Sequence, residues 1–135
     1  MTKPSDLAQR VAASAARGSV VLTREGGSVV CERCVVADRM FSRMKGLLGK
    51  RHLATGHGLL IRPAPSVHTF FMRFPIDIVF LSRRGEVMKV SADVGPWRVR
   101  SCRRAYAVLE LPAGEAERRG IAMGDRIDAE AIALP

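Results

Sequence analysis

Apolar positions along the chain fall into short β-branched runs, punctuated by Gly, Pro and charged turns, and helical spacing is confined to two places. Ser19 to Thr23 and Ser28 to Ala37 flank Arg24-Glu25-Gly26-Gly27, the pattern of a hairpin with a glycine-containing turn. Asp38 then offers a helix N-cap, and Met40, Phe41, Met44, Leu47 and Leu48 follow at helical spacing. Gly46 and Gly49 limit that helix to about Arg39–Leu48. His57 to Ile61 reads as a strand stopped by Pro63 and Pro65, which cannot donate ladder hydrogen bonds. The most apolar stretch is Ser66 to Leu81. It predicts an extended run over Val67–Phe74, a break at Pro75 and a buried strand over Ile76–Leu81. Ser82-Arg83-Arg84-Gly85 turns into a strand over Glu86–Val94, and Tyr106–Leu111 is another apolar strand. Glu115 to Arg119 suits a short helix closed by Gly120 as a left-handed cap, and Arg126–Ile132 reads as a last strand. Short strands at this density, with two short helices, predict a mostly β, antiparallel sandwich or barrel. Residues 1–18 are expected to form a flexible tail, and residues 19–135 a single β-rich domain.

Composition narrows this picture. At 135 residues, with 47% hydrophobic and 26% charged positions, the chain suits one globular domain, with a core of aliphatic side chains and five Phe. The net charge of +9 is unevenly spread. Between Arg39 and Ile76 lie Arg39, Arg43, Lys45, Lys50, Arg51, Arg62 and Arg73, together with His52, His57 and His68, and no acid. A second basic run holds Arg98, Arg100, Arg103 and Arg104, while acids predominate after Leu109. Such asymmetry serves nucleic acid, an anionic membrane surface or an acidic ligand, or else it is a solvated basic face. Cys31, Cys34 and Cys102 make an odd set that argues against a disulfide framework. No apolar run approaches the ~18 residues that span a bilayer. The N-terminal stretch lacks the continuous apolar centre of a secretory signal, so a cytoplasmic location and no transmembrane segment are expected.

Candidate chemistry concentrates on the apolar stretch. Strand alternation over Val67–Phe74 would put His68 with Phe70, Met72 and Phe74 on one face, and Thr69, Phe71 and Arg73 on the other. Asp77, between Ile76 and Ile78, requires a partner if it is to stay ionised, and Arg43, Arg73 or backbone N–H groups are available. A structural salt bridge or turn-fixing hydrogen bond is expected of it. Cys31 and Cys34 have CxxC spacing, yet residues three apart in an extended strand point to opposite faces, which spoils chelation. No HExxH, GxSxG or phosphate-binding glycine loop occurs, so no metal, cofactor or catalytic set is predicted. Trp97, the only Trp, sits between Pro96 and Arg98 and either packs a ligand ring or folds back over an open end of the sandwich.

Several segments together carry a family resemblance: RMKGLLGKRHL, GHGLLI, FFMRFPIDIVFL, YAVLELPAG and GIAMGDRI, in order from about Val29 to Ile127. They resemble domain-of-unknown-function family 192, also filed as uncharacterised protein family 0127, in the branch with a VHTFFMRFPID motif. The resemblance implies a compact, mostly β, jelly-roll-like domain, and it implies no activity. Lys50 stands where the family usually carries Arg, keeping the charge but losing the bidentate fork.

The leading functional reading is a small, soluble, non-enzymatic binding module. Its basic pocket, built from Arg43, Lys50, His68, Arg73 and Trp97, would take an anionic small molecule or protein partner. A second reading is an enzyme using His68 and Asp77, or His57, for acid–base chemistry. A third is nucleic-acid binding through the arginine runs, with few aromatics and no reading helix to support it. Oligomeric state is not legible.

Overall fold

A computed structural model of the chain describes residues 19–37 and 52–133. The proposed tail, the helix expected over Arg39–Leu48, Arg43 and Lys50 all lie outside the described residues. The elements are β1 (Val20–Thr23), β2 (Val29–Ala37), β3 (His57–Ile61), β4 (Ser66–His68), β5 (Ile76–Leu81), β6 (Val87–Val94), β7 (Val99–Ser101), β8 (Ala107–Pro112), α1 (Glu115–Arg118) and α2 (Ala129–Ala133). The main sheet has six strands in the order β1-β2-β3-β8-β5-β6, and β4 and β7 form a separate two-stranded ladder. This is the mostly β architecture that the strand density predicts. The sheet is mixed, because β2 and β3 run parallel while the other pairs are antiparallel.

Strands β5 and β8 are buried along their whole length, which is why IDIVFL and AVLELP read as near-continuous apolar runs. Alternation on these strands divides the interior into two cores. Val79, Leu81, Ala107, Leu109 and Leu111 pack with Leu22, Cys31 and Cys34, and with Ala116, Ile121, Ile127, Ala131 and Ile132 from the segment that carries α1 and α2. Ile76, Ile78, Phe80 and Val108 pack on the opposite side, against Ala64, Val67, Met72, Phe74 and Ala105. The sheet therefore has a helix side and a β4–β7 side. Gly85 joins the β5–β6 hairpin to the helix side: a Cβ there would lie 2.0 Å from the Ile127 carbonyl oxygen, and its φ is +81°.

Three local expectations change. Val67–Phe74 is not one extended strand: β4 stops at His68, and the chain turns at Phe70 and Phe71. Thr69 and Met72 are buried while Phe70 and Phe71 are exposed, so the expected alternation of faces fails. The segment after Asp125 makes only bridges, at Arg126 with Glu86 and at Ile127 with Arg24, before turning into α2 rather than a strand. Asp128 Oδ1 accepts the Glu130 N–H at 3.0 Å, a capping bond at the start of that helix. Strand β7, read as loop from sequence, pairs with β4 through Val67↔Arg100.

Candidate functional site

At one end of the β4–β7 ladder two loops meet, and Thr69 is what joins them. Its side chain is fully buried. Thr69 Oγ1 donates to the Gly95 carbonyl at 2.7 Å and accepts the Arg98 N–H at 2.9 Å. Its backbone N–H donates to the Arg98 carbonyl at 2.8 Å, and its own carbonyl accepts N–H groups from Trp97 at 3.0 Å and Met72 at 3.2 Å. This clamp holds two large aromatic residues in the left-handed region, Phe71 at φ +66° and Trp97 at φ +63°. Each such residue costs on the order of 1–3 kcal/mol, so the loops are shaped by tertiary bonds rather than by local preference.

The clamp presents a ladder of rings. His68 lies 4.7 Å from Phe70, Phe70 stacks on Trp97 at 5.6 Å, and Phe71 meets Trp97 edge-on at 4.6 Å. His68 is half-buried, and its Nδ1 accepts the Phe70 N–H at 3.3 Å. Phe71 is 61% exposed, Trp97 54% and Val99 56%. Trp97 thus stands out from the surface instead of folding back over it. A contiguous exposed patch of this kind marks a contact surface more often than a random surface does.

The ridge is edged by arginines. Arg73, Arg98 and Arg100 border it, and Arg103 and Arg104 follow at the far end of the ladder. Arg98 and Arg100 reach back only to the carbonyls of Trp97 and Val99, at 3.4 and 2.8 Å. Among the described residues none of these five makes an ion pair with a carboxylate.

The helix side is arranged the other way. Arg119 binds Glu32 at 2.8 Å and Glu115 at 2.8 Å, and Arg118 binds Glu115 at 2.6 Å. Burial works to raise the pKa of Glu115, but hydrogen bonds and charge from Arg118 and Arg119 outweigh it and hold the carboxyl below its ordinary value. The Arg119 hydrogen bond likewise lowers Glu32 against a smaller effect of burial. Arg24 donates to the carbonyls of Arg119 and Gly120 at 2.6 and 2.8 Å, satisfying acceptors just beyond α1, and pairs with Asp125 at 3.2 Å.

Asp77 belongs to the helix side as well. It is fully buried, and Oδ1 accepts the Asp93 N–H at 2.8 Å. Oδ2 accepts those of Gly114 and Ala116, both at 3.0 Å. Gly114, the N-cap of α1, has no side-chain oxygen, so a carboxylate 37 positions earlier in the chain does the capping. With its oxygens taken by three N–H groups and no exposure, Asp77 has no free lone pair facing solvent for an acid–base partnership with His68. Arg73, though exposed, does not pair with it.

The cysteines divide between the two cores. A bulge between the Val20↔Cys34 and Leu22↔Cys31 pairings brings Cys31 and Cys34 into the same core, where a regular strand would have pointed them apart. The Cys34 thiol is pushed well up, first by its hydrogen bond with Cys31 and then by burial, so it remains protonated. Cys102 packs on the opposite core. Among the described residues no group of three or more His, Cys, Asp or Glu side chains is placed to hold a metal ion. No described helix is long and apolar enough to cross a membrane.

Sequence reasoning picked out Arg73, His68 and Trp97, and the structure brings His68 and Trp97 into one ring ladder, with Arg73 two residues beyond Phe71. It missed Phe70, Phe71 and Thr69 as parts of the site. The repeated Phe beside a Thr carried a strand signal there and no turn signal.

The sequence profile of a family described as "Uncharacterized ACR" matches residues 20–129. A UPF0127 protein of Pyrococcus furiosus is 33% identical over 96 residues, covering 68% of this chain and 82% of the relative. One from Thermococcus sibiricus is 28% identical over 116 residues, covering 82% and 75%. Among solved structures, a protein of unknown function from Novosphingobium aromaticivorans superposes with a TM-score of 0.71 at 27% identity, covering 82% of this chain and 84% of that one. A protein from Sinorhizobium meliloti, at 24% identity and a TM-score of 0.70, shares the fold.

Proposed function

The chain belongs to domain-of-unknown-function family 192, and from that premise we propose that it is a binding module whose recognition surface is the aromatic–arginine ridge on the β4–β7 side. Its partner is anionic and brings a ring or apolar group against Trp97, Phe71 and Phe70, and a carboxylate, sulfate or phosphate against Arg73, Arg98 and Arg100. One observation carries the reading: a clamped, exposed ring ladder is bordered by arginines that make no ion pair among the described residues. Exposed aromatic area supplies contact energy at low entropic cost, and guanidinium groups give bidentate bonds to planar anions. Enough strain is held in Phe71 and Trp97 that a contact role explains their retention better than packing does. His68, half-buried beneath Phe70, is a positioning group for the ladder.

The test is calorimetric titration with polyglutamate, a sulfated polysaccharide and a single-stranded oligonucleotide, at two or more salt concentrations. Binding that weakens with salt and is lost in Trp97→Ala and Arg98→Ala is expected. Absence of salt-sensitive binding to any polyanion, or binding indifferent to both substitutions, would count against the reading. A steep salt slope for the oligonucleotide alone would favour nucleic acid as the partner.

A further inference from the structure

A second basic feature lies at the other end of the β4–β7 ladder, about 13 Å along the chain from Thr69 at ~3.3 Å per residue, and it shares no residue with the ring ladder or with Arg73, Arg98 and Arg100. An open cleft of about 610 Å³ is lined by Pro63 and Pro65 on one wall and by two facing turns. One is the β5–β6 hairpin turn carrying Ser82, Arg83, Arg84 and Glu86, and the other is the turn carrying Arg104, Ala105 and Tyr106. Both turns are fixed in place. Ser82 Oγ accepts the N–H groups of Arg84 and Glu86 at 3.2 and 3.1 Å. Tyr106 donates its N–H to Leu81 at 2.8 Å and accepts the Ala64 N–H at 2.8 Å, and the Ala105 N–H reaches the Cys102 carbonyl at 3.1 Å. The Arg83 guanidinium lies over the Tyr106 ring, 4.6 Å from its centroid, which orients its fork instead of leaving it free. Arg104 sits at φ +70°, a conformation that glycine would adopt without strain.

Three arginines therefore line this cleft with one acidic residue, Glu86, and among the described residues none of the three arginines forms an ion pair. Three positive charges beside a single negative one repel one another, so the cleft favours an added anion. Its volume falls within the range of small-molecule sites. We propose that the cleft is a binding site for a small phosphate-bearing molecule. Arg83, Arg84 and Arg104 would grip the phosphate oxygens, and Glu86 would accept a hydrogen bond from a hydroxyl or amine on the same ligand. Planar forks carried on two rigid turns that line one cleft suit the several oxygens of a phosphate or diphosphate better than a single carboxylate.

The experiment uses the full chain and inorganic pyrophosphate, read by calorimetry and by the shift in thermal midpoint at constant ionic strength. Pyrophosphate is expected to bind and to raise the midpoint beyond a sodium chloride control. Arg104→Gly, which suits the backbone, and Arg84→Ala should each weaken binding about tenfold. Arg83→Lys keeps the charge and loses the fork, and should weaken it several-fold. Arg73→Ala combined with Arg98→Ala removes two positive charges at the ridge and should weaken pyrophosphate binding less than either cleft variant does. The proposal is overturned if pyrophosphate does nothing beyond the salt control, or if the cleft variants bind as tightly as the parent. It is equally overturned if the ridge variants alone lose binding, which would move the anion site to the ridge.

Discussion

The two sides of the main sheet treat arginine in opposite ways. On the helix side, Arg24, Arg118 and Arg119 are spent on carboxylates and carbonyls that hold α1 and its flanking turns against the sheet. On the β4–β7 side, Arg73, Arg98, Arg100, Arg103 and Arg104 meet no described carboxylate within ion-pair distance. The same contrast holds for apolar groups. The helix side hides Ile121, Ile127 and Ile132 and exposes Met123 singly, whereas the β4–β7 side displays Phe71, Trp97 and Val99 together. Charge and ring used internally are commitments to the fold; left open on a rigid clamp, they are available to something else. Substitutions on the two sides should therefore fail in different ways.

The sharpest test is Asp77→Ala, which leaves three N–H groups without their acceptor, two of them at the start of α1. A loss of about 4 kcal/mol of stability is expected in chemical denaturation. A loss under about 1 kcal/mol would show that water or another group replaces the carboxylate. Glu115→Ala should cost about 3 kcal/mol, because it leaves the part-buried Arg119 with one carboxylate, the exposed Glu32, beside its bond to the Val29 carbonyl. The pH response follows in sign. Glu115 is depressed in the folded state, so its stabilisation is complete above the ordinary carboxylate value of 4.5 and is lost as pH falls through the lower folded value. Denaturation midpoints measured from pH 6 down to pH 3 should drop in the parent, and less steeply in Glu115→Gln.

On the other side, Thr69→Val should cost about 1–2 kcal/mol, through the lost bonds to Gly95 and Arg98, and should weaken ridge binding along with it. The smallest stability effect is expected from Phe71→Gly, where relief of the left-handed backbone offsets the lost ring contact with Trp97. Its denaturation midpoint should lie close to the parent's while binding of the anionic partner falls. A large destabilisation would make Phe71 a structural residue and erase the contrast between the sides.

How much of this was legible in the sequence depends on where each element draws its information. Strands β3, β5 and β8 carry it locally: HGLLI, IDIVFL and AVLELP are near-continuous apolar runs, interrupted at His57, Asp77 and Glu110, because both faces of those strands are largely covered. The turn at Phe70–Phe71 carries no local signal, since neither residue is a turn former and its shape is set by Thr69 bonding to residues 26 and 29 positions away. α2 was legible in part. Asp128 before AEAIA is a cap followed by helix formers, but the preceding Arg126-Ile127 read as the start of a strand. The CxxC faces were misjudged because a bulge cannot be seen without the partner strand. The cleft arginines come from two turns about 20 positions apart, which only the fold brings together.

The single Trp also bears on how this molecule can be observed. Trp97 is the only indole in the chain, and it projects from the ridge rather than sitting in either core. Its emission would therefore respond to whatever settles on the proposed ridge, since its contacts are with the exposed rings of Phe70 and Phe71 and not with either core. Ultraviolet fluorescence of this chain would report occupancy of the proposed ridge, and circular dichroism of the sheet would report folding. The placement of one side chain thus separates two signals that most small domains mix.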